Sequence, residues 1–321
     1  MSGHWLDAIV QRPSVEIVGL VDVREEAAQA RAREFGLEGA YVGSDVGAAI
    51  DARRPRLVLD CTPPGDRVPV VLRALRGGCH VLSEKPMALT MAGARLMIAE
   101  ASRAERLFAI AQNHRYMPAV RRFARVVRSG VLGPLTSIHT DFFVARQFTN
   151  FRASMDHALL LDMAVHTFDT VRFATGLEAR TVYCREWNPP GSAFAGGAEA
   201  VAVFDLSSDV VFTYRGSWCA PGHATSWQAR WRVIGQHATA AWNGDDEVRV
   251  ETAEGEILRE PSEDPNALGK GELLDDVLAA IEHGHVPPTD CRDNLRSLAM
   301  VHAAIESART GRCVSVEAED E

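Results

Sequence analysis

The chain has 321 residues, 46% hydrophobic and 24% charged, with a formal net charge of −9. That length suits one large domain or two ordinary ones, and the negative charge gives no basis for nucleic acid or an anionic membrane as a partner. No apolar run approaches bilayer-spanning length. The start, MSGHWLDAIVQRPS, lacks the basic flank and apolar centre of a signal peptide, and six dispersed cysteines form no C-x-x-C pair. The expectation is a cytoplasmic chain with reduced thiols and no bound metal.

Short β-branched runs alternate with helical patterns up to about residue 112. VEIVGLVD (15–22) reads as a buried strand and EEAAQARAREFG (25–36) as a helix stopped by Gly36. AYVG (40–43), RLVLDC (56–61), CHVLSE (79–84) and LFAIAQ (107–112) read as further strands, with helices near 44–52, 66–77 and 90–103 between them. Continuous apolar strands interleaved with helices mark a parallel sheet covered on both faces. Beyond residue 114 the pattern changes. A helix at 118–129, an extended stretch at 135–148 and a helix at about 158–175 lead into strands over 179–252, separated by turns such as Asn243-Gly244-Asp245. Helices at about 270–283 and 291–310 close the chain, and the acidic end, Glu317 to Glu321, reads as a solvated tail. The expected fold is an α/β Rossmann-type domain over 1–114, then an α+β domain with an open, mostly antiparallel sheet over 115–321. The C-terminal helices have the option of packing back on the first domain.

Of 34 basic residues 32 are arginine, leaving Lys85 and Lys270 as the two lysines. Arginine does not replace a compact ammonium able to lose a proton, so a lysine kept against this bias is a stronger candidate for chemistry. Lys85 lies in Ser83-Glu84-Lys85-Pro86 at the carboxyl end of a strand, where open parallel sheets bind ligands. There an ammonium can stabilise a developing alkoxide and relay its proton, with Glu84 orienting it; the competing reading is a surface ion pair of little value. Lys270 has no such setting and reads as a solvated residue near a helix start.

Asp22, just past the second strand position of a dinucleotide-binding pattern, can accept bonds from the adenosine ribose hydroxyls, which favours NAD. Arg24 is equally able to meet a 2′-phosphate, which keeps NADP open, and aspartate also begins turns. Thr62 and Pro63, in Cys61-Thr62-Pro63-Pro64-Gly65, form either a ligand loop or an ordinary turn. Asp162, His166 and Asp169 fall at i, i+4 and i+7 on one face of an apolar helix. Buried polar groups need partners, and His166 carries the side chain suited to proton transfer near neutrality; a core histidine and a metal site are the rival readings. Asn113 and Arg115, in Asn113-His114-Arg115-Tyr116, follow the last parallel strand, where Arg115 anchors either a loop or a ligand. His283-Gly-His285 is given no role.

Together, Val-Asp22, Cys-Thr62-Pro63, His80-Val-Leu-Ser-Glu84-Lys85-Pro86, Asn113-His-Arg115-Tyr-Met-Pro118, Gly130-Val-Leu-Gly133-Pro134 and Asp162-x-x-x-His166-x-x-Asp169 resemble the glucose–fructose oxidoreductase, inositol dehydrogenase and rhizopine-catabolism (Gfo/Idh/MocA) family. The closing segments Asp293-Asn294-Leu-Arg-Ser-Leu-Ala-Met and Ser307-Ala-Arg-Thr-Gly311 look similar too. The resemblance implies a dinucleotide-binding site formed with Ser2, Asp22, Arg24, Thr62, Pro63, Glu84, Lys85, Asn113 and Arg115, and a Lys85-Pro86 bond that is cis. It also implies an active site between the domains, where Lys85 meets the reacting hydroxyl and His166, beside Asp162, accepts its proton. The reaction implied is hydride exchange between NAD or NADP and a secondary hydroxyl of a sugar, cyclitol or related polyol. A sensor or scaffold of the same fold and an NAD-assisted lyase or glycosidase are the alternatives. The family's sheet face often forms a dimer interface, so a homodimer or homotetramer is expected; the tryptophans at 218, 227, 231 and 242 serve either that interface or the core.

Two departures stand out. Asp156-His157-Ala158 and Asp162-Met163-Ala164 replace the family's small-residue motif, which makes His157 a candidate substrate contact. The family also opens with a strand and a Gly-x-Gly-x-x-Gly turn that cradles pyrophosphate. Here Ser2 aligns with the last position of that motif, so Met1 is expected to be an internal methionine of a longer reading frame.

Overall fold

The computed structural model describes residues 2–245, 247–260 and 269–317; positions 318–321 of the expected tail lie outside them. The chain forms two compact units, Met1–Ala111 with Lys270–Asp293, and Gln112–Gly269 with Asn294–Glu321.

In the first unit, α1 (Ser2–Val10) precedes β1 (Gly19–Val21), α2 (Glu25–Glu34), β2 (Tyr41–Gly43), α3 (Val46–Arg53), β3 (Leu57–Asp60), α4 (Arg67–Arg76), β4 (His80–Ser83), α5 (Met91–Ala104) and β5 (Phe108–Ile110). The caps follow sequence chemistry. Asp45 accepts the Gly47 and Ala48 N–H groups at the start of α3, and the Thr90 hydroxyl accepts that of Gly93 at the start of α5. All strand pairs here are parallel, in two sheets, β1-β2 and β3-β4-β5. Strands β4 and β5 are largely buried, whereas β1 and most of β3 are only half-buried. The buried strand expected over 15–22 is therefore shorter and wetter than its sequence suggests. It has β2 on one edge and, among the described residues, no strand on the other, and a strand's regularity depends on paired neighbours.

Residues 270–293 belong to this unit, so the second domain is not one continuous stretch from 115 to 321. The Arg12 guanidinium, just past α1, holds the Asp275 carboxylate at 2.5 and 2.7 Å and the Gly271 carbonyl at 2.8 Å. The Ile110 N–H donates to the Thr289 carbonyl at 2.9 Å, closing the β5 edge of the sheet.

The second unit contains α6 (Pro118–Arg128), β6 (Leu135–Phe143), a π-helical turn at Leu160–Ala164 that runs into α7 (Val165–Thr175), β7 (Ala179–Trp187), β8 (Glu199–Leu206), β9 (Val211–Ser217), β10 (Arg230–Gly235), β11 (Thr239–Trp242), β12 (Val248–Thr252) and β13 (Gly255–Glu260). The helix α8 (Lys270–His283) lies in the first unit, α9 (Cys291–Thr310) straddles the division, and β14 (Val314–Ser315) is the last strand among the described residues. The sheet has nine strands in the order β13-β12-β11-β10-β6-β9-β8-β7-β14. Every pair is antiparallel except β6 with β9.

Alternation decides its faces: in β8, Ala200, Ala202, Phe204 and Leu206 are buried while Val201 and Val203 point out. Helices α6 and α7 and the Met300–Ala304 stretch of α9 supply core residues in the same cluster as the buried face. Trp218, Trp231 and Trp242 are fully buried, with Trp231 and Trp242 packed on Phe123 at ring-centroid distances of 5.3 and 5.0 Å. Those three tryptophans are core. The exposed face carries Tyr183, Trp187, Val201 and Val203 instead.

Candidate active site

In the first unit the candidate residues sit on loops leaving the carboxyl ends of parallel strands. Asp22 follows β1; its carboxylate accepts the Arg24 N–H at 2.9 Å, yet its side chain stays 42% exposed. It thus shapes the turn and still offers an acceptor. Arg24 is 80% exposed. Ser2 is the first residue of α1.

After β3, Asp60 organises the next loop. One carboxylate oxygen accepts the Thr62 N–H at 2.9 Å and the Thr62 hydroxyl at 2.6 Å; the other accepts Ser83 Oγ at 2.6 Å and Arg67 Nε at 2.9 Å. The Thr62 hydroxyl proton is therefore spent inward, and toward a ligand its oxygen acts as an acceptor. Pro63 is exposed at the turn, its carbonyl accepting the Asp66 N–H at 3.0 Å. Arg67, invisible to sequence reading among so many arginines, is almost fully buried. It donates to the carbonyls of Thr62, at 2.6 Å, and of Pro86, and so ties together the loops after β3 and β4. Removing one member of a buried ion pair leaves the other charge stranded. Arg67→Met is expected to lower unfolding free energy by about 3–5 kcal/mol, read as a fall in the urea midpoint, and to weaken dinucleotide binding; an unchanged midpoint would remove Arg67 from this role.

After β4 come Glu84, Lys85 and Pro86, and the Lys85-Pro86 peptide is cis. Glu84 is buried; one of its oxygens accepts the Trp5 indole N–H at 2.8 Å and lies 3.1 Å from the Lys270 ammonium. Burial alone would raise the Glu84 pKa, but Lys270, the Trp5 hydrogen bond and Lys85 outweigh it and hold the carboxyl below its ordinary value. Lys270 is not the solvated residue that its sequence surroundings suggest: its side chain is 13% exposed. Burial, with Glu84 and Asp60 adding to it, pushes the Cys61 thiol up to about 12, so this cysteine is no nucleophile at neutral pH.

In the second unit Asn113, His114 and Arg115 lie on a 3-10 turn. Arg115 Nε and Nη2 donate to the two oxygens of Asp169 at 2.7 and 2.6 Å, and Ser297 Oγ donates to Asp169 at 2.7 Å. This buried set ties the 113–116 turn to α7 and α9. Asp162 sits on the π-helical turn, a form often found at functional sites. Both of its oxygens lie 2.9 Å from Arg152 Nε, and the Arg152 guanidinium lies over the Phe151 and Phe148 rings at 4.8 and 5.7 Å. His166 is buried, its ring stacked on that of His114 at 4.1 Å with a 13° interplanar angle. Asp162, His166 and their neighbours therefore gather at one helix start, with Arg152 and His114 as members that spacing alone does not single out.

His157 Nδ1 is 2.5 Å from Glu186 Oε2. That hydrogen bond, opposed by burial and aided by the charges of Glu186 and Asp156, raises the His157 pKa. His302 is shifted the other way, by burial and then by repulsion from His157. Because the folded pKa of His157 exceeds the unfolded one, its stabilising effect is complete below about pH 6.5 and fades as pH rises through the raised value. His157→Gln is expected to flatten the thermal-midpoint profile over that window by an amount worth under about 1 kcal/mol. A profile identical to the parent's would disprove the coupling. Among the described residues, no group of three or more His, Cys, Asp or Glu is placed to hold a metal ion; His285 instead bonds Asp276 at 3.0 Å.

The first unit's donor set fits a dinucleotide: parallel strands whose loops present a half-exposed carboxylate after β1, an acceptor hydroxyl after β3 and, after β4, a lysine in a loop anchored at Glu84 and Pro86. The comparisons agree with that class. Residues 2–112 match the family model for the oxidoreductase family with an NAD-binding Rossmann fold, and residues 120–241 match that for the GFO/IDH/MocA C-terminal domain. The chain belongs to the Gfo/Idh/MocA family of oxidoreductases. It is 28% identical to the uncharacterized protein y4oX of Sinorhizobium fredii, over 98% of this chain and 92% of that protein. It is also 28% identical to the D-apiose dehydrogenase of Paraburkholderia graminis, over 95% and 84%. In structure it resembles an oxidoreductase from Agrobacterium radiobacter solved with NAD+, L-tartaric acid and magnesium, with a TM-score of 0.91 at 18% identity, covering 98% of this chain and 95% of that one.

Proposed function

We propose that the protein oxidises a secondary hydroxyl of a sugar, cyclitol or related polyol, or reduces the corresponding ketone, with NAD in preference to NADP. The carrying observation is Lys85, held after β4 in a loop pinned by the buried residues Glu84 and Arg67. The preference for NAD rests on the exposed Asp22 carboxylate, which suits free ribose hydroxyls and repels a 2′-phosphate. The nicotinamide, when bound, supplies the hydride acceptor. Lys85 donates to the substrate oxygen and stabilises alkoxide character there. His166 takes the hydroxyl proton, with the His114 ring fixing its plane. Arg152 holds Asp162 in position to accept a bond from a substrate hydroxyl, and His157 contributes a further polar contact. Ser2, Thr62 and Pro63 are the further cofactor candidates of the first unit, and Asn113 and Arg115 those of the second. Self-association is assigned to the exposed sheet face around Tyr183, Trp187, Val201 and Val203, and a reducing cytoplasmic setting accords with six free thiols.

The test is a panel of aldoses, aldonates, inositols and glycosides incubated with NAD+ or NADP+, with nicotinamide absorbance as the readout. Stoichiometric reduction of NAD+ by at least one polyol is expected. Chemical turnover without net reduction would overturn the assignment in favour of a cofactor-recycling lyase.

A further inference from the structure

Two buried carboxylates lie near Lys85 in the first unit, Asp60 and Glu84, and each has a cation within bonding distance. Asp60 is met by Arg67 at 2.9 Å and Glu84 by Lys270 at 3.1 Å. The second pairing is built with care. Lys270 opens α8, and its ammonium lies 4.6 Å over the ring centroid of Trp5 in α1, a residue with no exposed surface. The Trp5 indole N–H donates to the same Glu84 oxygen that the ammonium approaches. One side chain from α1, one from α8 and one from the loop after β4 thus close a triangle around a single carboxylate oxygen. In a chain where 32 of 34 basic residues are arginine, the two lysines are Lys85, adjacent to Glu84 in sequence, and Lys270, bonded to it in space.

We propose that Lys270 is a positioning residue for Lys85: by neutralising the buried Glu84, it keeps that carboxylate from drawing the adjacent Lys85 ammonium onto itself. This rests on the reading of Lys85 as the group that meets the substrate oxygen. A carboxylate shielded from water must be charge-compensated, and opposite charges a few ångströms apart in such a setting attract strongly. Lys85 is the other lysine whose charge acts on Glu84, so without Lys270 the task of compensating that carboxylate shifts toward it. The cation–π contact with Trp5 fixes where the Lys270 charge sits, so the loop Glu84-Lys85-Pro86 is held from below. The catalytic group is Lys85; Lys270 acts through Glu84.

The chain's lysine content makes the test direct. Lysine-selective 13C labelling of the full chain gives two Hε–Cε signals, and Lys270→Met leaves one, that of Lys85. Lys270→Met is expected to displace the Lys85 signal and to lower kcat by about 10–100-fold, with the KM of the polyol changed less than threefold. Lys270→Arg, which keeps the charge, should restore the Lys85 signal and bring kcat to within about threefold of the parent. If Lys270→Met leaves the Lys85 signal and kcat of the folded enzyme unchanged, the proposal fails. It also fails if methionine and arginine variants lose activity and thermal stability equally, since that pattern is one of fold support alone. Should the signal move and recover as stated while the parent shows neither an NAD+-induced shift of Lys85 nor turnover of any polyol, the ion-pair control stands and the dehydrogenase reading falls.

Discussion

Replacing His166 with asparagine is expected to lower kcat by about 10²–10⁴-fold, the range for losing a positioned general base, while the affinity for NAD+ stays within about threefold. The split follows from placement. Asp22, Thr62 and Glu84, which we assign to the cofactor, belong to the first unit, and His166 to the second. The imidazole is buried and lies parallel to His114 at 4.1 Å, so its ring plane is set before any substrate arrives. Asparagine keeps polarity and similar volume but cannot take a proton at neutral pH. Calorimetry for NAD+ and steady-state turnover on the same preparation give both halves of the result. A variant with kcat within tenfold of the parent would return His166 to the ordinary class of satisfied core histidines.

The second large effect is expected at Lys85. Lys85→Met removes the cation assigned to the developing alkoxide, and a fall in kcat of about 10²–10³-fold is expected, the range for deleting one such donor. Lys85→Arg should not restore the rate. A guanidinium is broad and planar and does not surrender a proton, whereas the loop that presents Lys85 is fixed on one side by Arg67 at the Pro86 carbonyl and on the other by Trp5 and Lys270 at Glu84. Rescue by arginine would mean that only charge is needed and that proton relay through this residue is absent.

Much of this was legible in the sequence. The alternation of apolar strands and helices gives the Rossmann half, the strand-rich run over 179–252 gives the second sheet, and Lys85, Asp162 and His166 stand out by residue type and setting. What escaped depends on long-range contact. The parallel pairing of β6 with β9 inside an otherwise antiparallel sheet joins segments some seventy positions apart, and periodicity along one strand carries no sign of its neighbour's direction. Trp5 and Glu84 meet across 79 positions and Lys270 and Glu84 across 186, so Lys270 looked like a helix-start residue facing water. Arg67 and Arg152 were hidden by abundance: in an arginine-biased chain residue type gives no contrast, and only burial and partners separate them from the rest. The tryptophans were ambiguous because a large indole serves core and interface alike, and burial alone settles Trp218, Trp231 and Trp242 as core.

The most direct measurement of direct hydride exchange uses a polyol, chosen from the panel, that carries deuterium on the carbinol carbon. After a single turnover with NAD+, the nicotinamide is examined by mass spectrometry. One deuterium on the reduced nicotinamide per ketone formed is the expected result. Deuterium found instead in water, or returned to the carbon skeleton of the product with NAD+ unchanged, would contradict it.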